Sequence, residues 1–320
     1  MDTDRAAMTT GIATPVSVVV PAYNHADTLP AAIDSLLAQD YPALEIIVLD
    51  DGSTDHTRRV LTAYDGRVRW ESQPNMGQAA TLNKGWAMSR GDILGYLSAD
   101  DFLYPGAVRA AAATLSADNV IVSYCDFDHV DPDGRRLRTV RRPEFSLERM
   151  LATLDCPPGP GAFFRRSAYA AAGGWNPQLR QIPDFDFWLR MAQHGRFAHI
   201  PEVLAAWRVH PGSQSFAVAS PDRAEESVMV ITEFFAATGV DPGLSRLKPK
   251  SMARAHLYCA QLHGRAGRYR AAISNILRAQ RLYPRTLLQW QTWRSAANAL
   301  FSRPLHHLLW RLRNNTRAKA

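Results

Sequence analysis

The chain has 320 residues, 46% of them apolar and 21% charged, enough for one large core or for a domain with an appendage. Its three cysteines, Cys125, Cys156 and Cys259, are odd in number and far apart, which excludes a disulfide framework and a cysteine-rich metal centre and points to a reducing compartment. The net charge of +7 is split. The last acid is Asp241, residues 242–320 hold 16 Lys and Arg and no Asp or Glu, and the first 241 residues carry a net of −9. The N-terminus has no apolar run of signal-peptide length, and nothing approaches the roughly 18 apolar residues of a spanning helix. The expected location is the cytoplasm, free or peripheral on the inner face of the membrane.

After a tail expected to be disordered (1–14), "VSVVV" (16–20) is a β-branched run of buried-strand length. Leu29, Ile33, Leu36 and Leu37 then recur at helical spacing over 26–39. "EIIVL" (45–49) is the second strand, and "DDGSTD" (50–55) a turn whose Ser, Thr and Asp suit helix capping. A third strand is expected at 67–72, a helix at 78–89, a fourth strand at 92–97, a helix after Pro105 and a fifth strand at 120–125. Alternating strands and helices predict an α/β fold with a mostly parallel sheet covered on both faces. Residues 128–134 read as a hairpin turn, 156–166 as a Pro/Gly loop entering a short strand, and 184–195 as a helix ending at Gly195. Residues 236–250 have linker composition, dividing a body at 15–235 from a basic helical region at 251–320. In that region Tyr269, Ala272, Ile273 and Ile276 form one apolar stripe, and Leu305, Leu308, Leu309 and Leu312 another.

Open parallel sheets bind ligands beyond the carboxyl ends of their strands. "PAYNH" (21–25) follows the first strand, "DDGSTD" the second and "SADD" (98–101) the fourth, so an aromatic residue and two carboxylate pairs crowd one edge. Adjacent carboxylates such as Asp100 and Asp101 repel unless a hard cation neutralises them, and oxygen donors suit Mg²⁺ or Mn²⁺.

These segments, with "NMGQAATLNKGWAMSRGDILGYLSADDFLYPGAV" and "WRVHPGSQS", resemble the family 2 glycosyltransferases of the GT-A fold, over roughly residues 15–216. The resemblance implies a Rossmann-like α/β domain with a small all-α C-terminal appendage. It also implies an inverting transfer from a UDP-sugar to a hydroxyl of a glycan or lipid-linked acceptor, as in cell-envelope synthesis. In that reading Pro21, Ala22, Tyr23 and Asn24 flank the uracil, and Asp51 accepts a hydrogen bond from its N3–H. Asp100 meets ribose and metal-bound solvent, Asp101 binds the cation, and His210 closes over the diphosphate or metal. Asp184, in "QIPDFDFWLR", matches the catalytic base, with Asp186 as fallback. Arg165, Arg166 and Trp188 fall on the acceptor side. The sequence departs from the common Asp-X-Asp pattern by carrying Ser98 at its first position, so metal binding rests on Asp100 and Asp101.

Plainer readings stand beside these. Asp100 and Asp101 suit a cap for the helix near Pro105, "DDGSTD" a turn, and Asp184 the N-cap of its own helix. His210 suits packing against Trp207, Lys84 a solvated helix face, and Trp175 and Trp188 the core. The basic region 251–320 fits an anionic membrane surface, with Arg303, Trp310, Arg311 and Arg313 around the last leucine stripe. Nucleic acid is not expected, because no such motif is visible and the acidic body repels phosphate. The competing functions are a catalytically weak nucleotide-binding scaffold and a nucleic-acid-associated protein acting through the tail.

Overall fold

The computed structural model describes residues 13–288 apart from 211, 213–216 and 238. The expected N-terminal tail up to residue 12 and the stripe Leu305–Leu312 lie outside the described residues. The strands are β1 (Val16–Ala22), β2 (Leu44–Asp50), β3 (Arg69–Ser72), β4 (Ile93–Tyr96), β5 (Phe102–Leu103), β6 (Val120–Val130), β7 (Arg136–Val140), β8 (Phe163–Arg165) and β9 (Arg196–Arg208). The helices are α1 (Leu29–Leu37), α2 (Thr57–Thr62), α3 (Gln78–Met88), α4 (Ala107–Leu115), α5 (Leu147–Thr153), α6 (Arg166–Ala172), α7 (Pro183–Met191), α8 (Pro221–Ala236), α9 (Lys248–Arg265) and α10 (Tyr269–Leu282).

All strands join one sheet in the order β3-β2-β1-β4-β8-β6-β9-β5, with β7 paired to β6. The first half, β3-β2-β1-β4, is parallel. In the second half β8 runs antiparallel to β4 and β6, while β6 and β9 run parallel. Every residue of β1 is buried, as the centre of a sheet covered on both faces requires. Its alternation divides the core: Val16, Val18 and Val20 face α1 and α4, and Val19 faces Leu82 and Trp86 of α3. The fifth strand runs to Val130 rather than stopping at Cys125, and β9 was not anticipated.

Residues 242–247 within the expected linker form a 3₁₀ turn that leads directly into α9. Helices α8, α9 and α10 form an all-α region. In it, Glu225 and the buried Cys259 and His263 offer ligand atoms within 4.8 Å of one another. Arg268 Nε donates to His263 Nδ1 at 2.7 Å, and Arg has no acceptor, so the ring proton sits on Nε2 facing Glu225 Oε1 at 3.3 Å. The His263–Glu225 bond joins α9 to α8.

Among the described residues, no helix is long and apolar enough to cross a membrane.

Candidate active site

Register brings the strand ends together. Asp51 N–H donates to Ala22 O at 2.8 Å and Leu97 N–H to Val19 O at 3.0 Å, so the residues after β1, β2 and β4 lie abreast. They open onto a cleft of about 820 Å³ lined by Pro21, Ala22, Tyr23, Asp51, Ser98, Asp100, Asp101, Trp175 and Asp184 among others.

The two carboxylate pairs have divided labour. Asp50 is structural: its oxygens accept Ser53 N–H at 3.0 Å and Ser72 Oγ–H at 2.7 Å. Asp55 accepts Thr57 N–H at 2.9 Å in the first turn of α2. That leaves Asp51 for the cleft, where it is fixed by Met76 N–H and Gly77 N–H, each at 2.8 Å, and by Gln73 Nε2 at 3.0 Å. With one bond at Oδ2 and two at Oδ1, the carboxylate retains a lone pair.

Neither Asp100 nor Asp101 caps a helix, since the N-cap of α4 is Gly106 and no side-chain bond caps that helix. Asp101 is buried, and Oδ1 accepts the Arg208 backbone N–H at 2.9 Å. Burial, then the charge of Asp100, holds its carboxyl well above the usual range. Arg208 locks this loop, its side chain donating to Asp100 O at 2.9 Å and Pro132 O at 2.6 Å. His210 Nε2 lies 3.0 Å from Asp100 Oδ2, so its ring joins the carboxylate pair. Two adjacent oxygen donors, one buried with its charge poorly compensated, fit a hard divalent cation.

Asp184 lies in the first turn of α7 but is not its cap. The N-cap is Ile182, which makes no side-chain bond. The amides there are taken by Glu226 of α8, which accepts from Arg180 N–H (2.9 Å), Gln181 N–H (2.6 Å) and Ile182 N–H (3.2 Å). Asp184 lines the cleft, and burial raises its pKa against the opposing pull of the Phe185 and Asp184 amides on its carboxyl.

Several expected residues stand elsewhere. Asn24, with a left-handed φ of 58°, does not line the cleft. Its Oδ1 accepts Thr54 N–H at 2.7 Å and Asp55 N–H at 3.3 Å, tying the β1 loop to the β2 loop. Arg165 and Arg166 lie at the opposite edge. Because β8 runs antiparallel to β4, Arg165 pairs with Ile93 at the amino end of that strand. Arg165 donates to Val120 O and Leu115 O, and Arg166 to Gly91 O and Ser89 O. Asp186 is held by Arg190 at 2.7 Å, and Trp188 is packed in the core. None of these four lines the cleft.

Residues not anticipated do line it: His25, Arg142, Cys156, Arg180, Arg223 and Tyr258. Arg142 donates to Pro157 O at 2.9 Å and Cys156 O at 2.5 Å, shaping the Pro/Gly loop. The Arg180 guanidinium lies where a Cβ on Gly77 would sit. Tyr258 OH, from α9, accepts Gln181 Nε2 at 3.3 Å. The neighbourhood of "PAYNH" held the one readable signal for these, His25 after the first strand. Burial lowers its imidazole pKa, with opposing pulls from Asp100 and His210.

Residues 17–172 match the model of glycosyl transferase family 2. The chain belongs to glycosyltransferase family 2. It is 31% identical over 193 residues to the chondroitin synthase and the hyaluronan synthase of Pasteurella multocida, 59% of this chain but only 20% of each of theirs. An uncharacterized glycosyltransferase of Rickettsia typhi is 29% identical over 203 residues, 61% of this chain and 64% of its own. Two solved structures share the GT-A fold. S. aureus TarS 1–349, solved with UDP-GlcNAc, superposes with a TM-score of 0.61 at 18% identity, covering 85% of this chain and 92% of that one. The mannosyltransferase PcManGT of Pyrobaculum calidifontis, solved with GDP-Man and Mn²⁺, gives 0.59 at 18% identity, covering 91% and 88%. Membership of family 2 accounts for the ordered landmarks along β1, β2 and β4.

Proposed function

We propose that this chain is an inverting glycosyltransferase that moves a sugar from a UDP-sugar to a hydroxyl of a growing glycan. The observation that carries the reading is the convergence of Asp51, Asp100, Asp101 and Asp184 on one cleft beside the half-exposed ring of Tyr23. TarS with UDP-GlcNAc and the two Pasteurella synthases support a UDP-sugar and a polysaccharide acceptor, and PcManGT supports Mn²⁺ or Mg²⁺.

Tyr23 stacks on the base, and Asp51 offers its remaining lone pair to an N–H of the uracil. Asp100, Asp101 and His210 would hold the divalent cation. When bound, that ion offsets the charge that develops on the departing diphosphate. Asp184 takes the proton from the acceptor hydroxyl as its oxygen attacks the anomeric carbon and the bond to the UDP β-phosphate oxygen breaks. A single displacement inverts the anomeric centre. Tyr258 and Arg223, from the all-α region, also line the cleft.

The test is a screen of UDP-sugars with Mn²⁺ and short glycan acceptors, read by proton NMR of the product. The reading predicts transfer from an α-linked donor to a β-linked product. Retention of configuration, or transfer from guanine-nucleotide donors only, would contradict it.

A further inference from the structure

Helix α10 presents a second surface, remote in composition from the cleft. Among the described residues nine large apolar side chains are exposed, and four of them, Tyr269, Ile273, Leu277 and Leu282, stand on this one 14-residue helix. Tyr269, Ile273 and Leu277 recur at intervals of four, which places them on one ridge. More than half of each is open to solvent.

This ridge is not the helix's core face. That face is already filled by Ala272, Asn275 and Ala279, which pack against α9, with Asn275 Oδ1 at 2.7 Å from His256 Nδ1. Beside the ridge stand exposed Arg270, Arg278 and Arg281, and no carboxylate among the described residues lies within ion-pair distance of them. The chain beyond Asp241 has no acid that could supply one.

An apolar ridge set among unpaired arginines fits one occupant best. A second copy, docking face to face, would bring two rows of arginine together. The segment 289–320 holds six Lys and Arg and no acid, so it is repelled in the same way. Nucleic acid would match the arginines but gain nothing from Ile273 and Leu277. A bilayer carrying anionic lipid matches both: its acyl region takes the aliphatic ridge, Tyr269 sits at the headgroup level, and phosphates meet the guanidinium groups.

We infer that the outer face of α10 docks this protein onto an anionic lipid surface, independently of which sugar it transfers.

The experiment is flotation of the full chain with phosphatidylcholine vesicles, with and without phosphatidylglycerol. The wild type binds only the anionic vesicles, and added salt weakens binding. Ile273→Glu with Leu277→Glu lowers partitioning on the order of a hundredfold, because two apolar side chains are withdrawn from the interface. Arg270→Gln with Arg281→Gln lowers it roughly fivefold for each charge removed. All four positions are exposed, so an unchanged thermal midpoint confirms that the variants remain folded.

The inference is overturned if the wild type ignores both vesicle types or binds neutral ones equally well. It also fails if both variants bind like the wild type, which would assign binding to residues 289–320. A dimer that the apolar pair converts to a monomer, with vesicle binding unaltered, would assign the face to a second copy.

Discussion

Glu226 Oε2 accepts the backbone N–H of Gln181 at 2.6 Å, and this bond joins the all-α region to the cleft. The carboxylate is buried in α8 and takes three consecutive amides ahead of α7, the helix that carries Asp184. A side chain far along the sequence thus fixes the three residues that lead into α7.

Replacing Glu226 with Gln leaves one acceptor oxygen for three amides. The expected cost is about 1–3 kcal/mol of stability, the range for a buried group losing its partner. With Asp184 less firmly placed, kcat falls while UDP affinity is kept. Thermal unfolding and steady-state kinetics on the same preparation check both halves.

Asp184→Asn removes the base and keeps the shape. Transfer should fall by about 10²–10⁴-fold, the usual contribution of a general base, with donor binding retained. The pH dependence follows from burial, which raises this carboxyl's pKa. The base works only when ionised, so activity is present above the folded pKa and lost as pH falls through it. The acid limb of kcat/KM therefore lies above the ordinary carboxylate value of about 4, and it is absent from the residual activity of the variant. Stability runs the other way. A raised folded pKa contributes stability below the unfolded pKa and loses it as pH rises through the folded one. The melting advantage of Asp184→Asn over wild type should grow with pH.

Much of this was legible in the sequence, and what was missed has a physical reason. The β-branched run of β1 and the carboxylates after β2 and β4 read correctly because strand pattern and chain order alone put them at one edge. Arg165 and Arg166 misled because their place depends on β8 running antiparallel, a pairing with no local signal. Arg142, Arg180, Arg223 and Tyr258 reach the cleft from separate segments, and only tertiary packing brings them there. Asn24 looked like a ligand residue because it follows Tyr23, yet its left-handed backbone and acceptor oxygen hold two loops together.

That role for Asn24 predicts a split between variants. Asn24→Ala abandons the amides of Thr54 and Asp55 and should weaken UDP binding by loosening Tyr23, with about 1 kcal/mol lost in stability. Asn24→Asp keeps the acceptor and should bind UDP nearly as wild type does. Calorimetric titration of both variants distinguishes this from direct nucleotide contact, in which the added charge would also weaken binding.

Asp101 sits where function and stability conflict. Its carboxyl is buried beside Asp100, so replacing it with Asn removes like-charge repulsion and keeps an acceptor for the Arg208 N–H. The metal-free Asp101→Asn protein should therefore melt no lower than wild type, and Mn²⁺ should raise the melting point of the wild type alone.

The most direct test of the whole account is calorimetric titration of UDP into the full chain with Mn²⁺, with chelator in its place, and again with Asp101→Ala. The account predicts binding that needs the cation and is lost in the variant. UDP binding that ignores both the cation and the substitution would contradict it, because Asp100 and Asp101 would then hold no metal beneath the diphosphate.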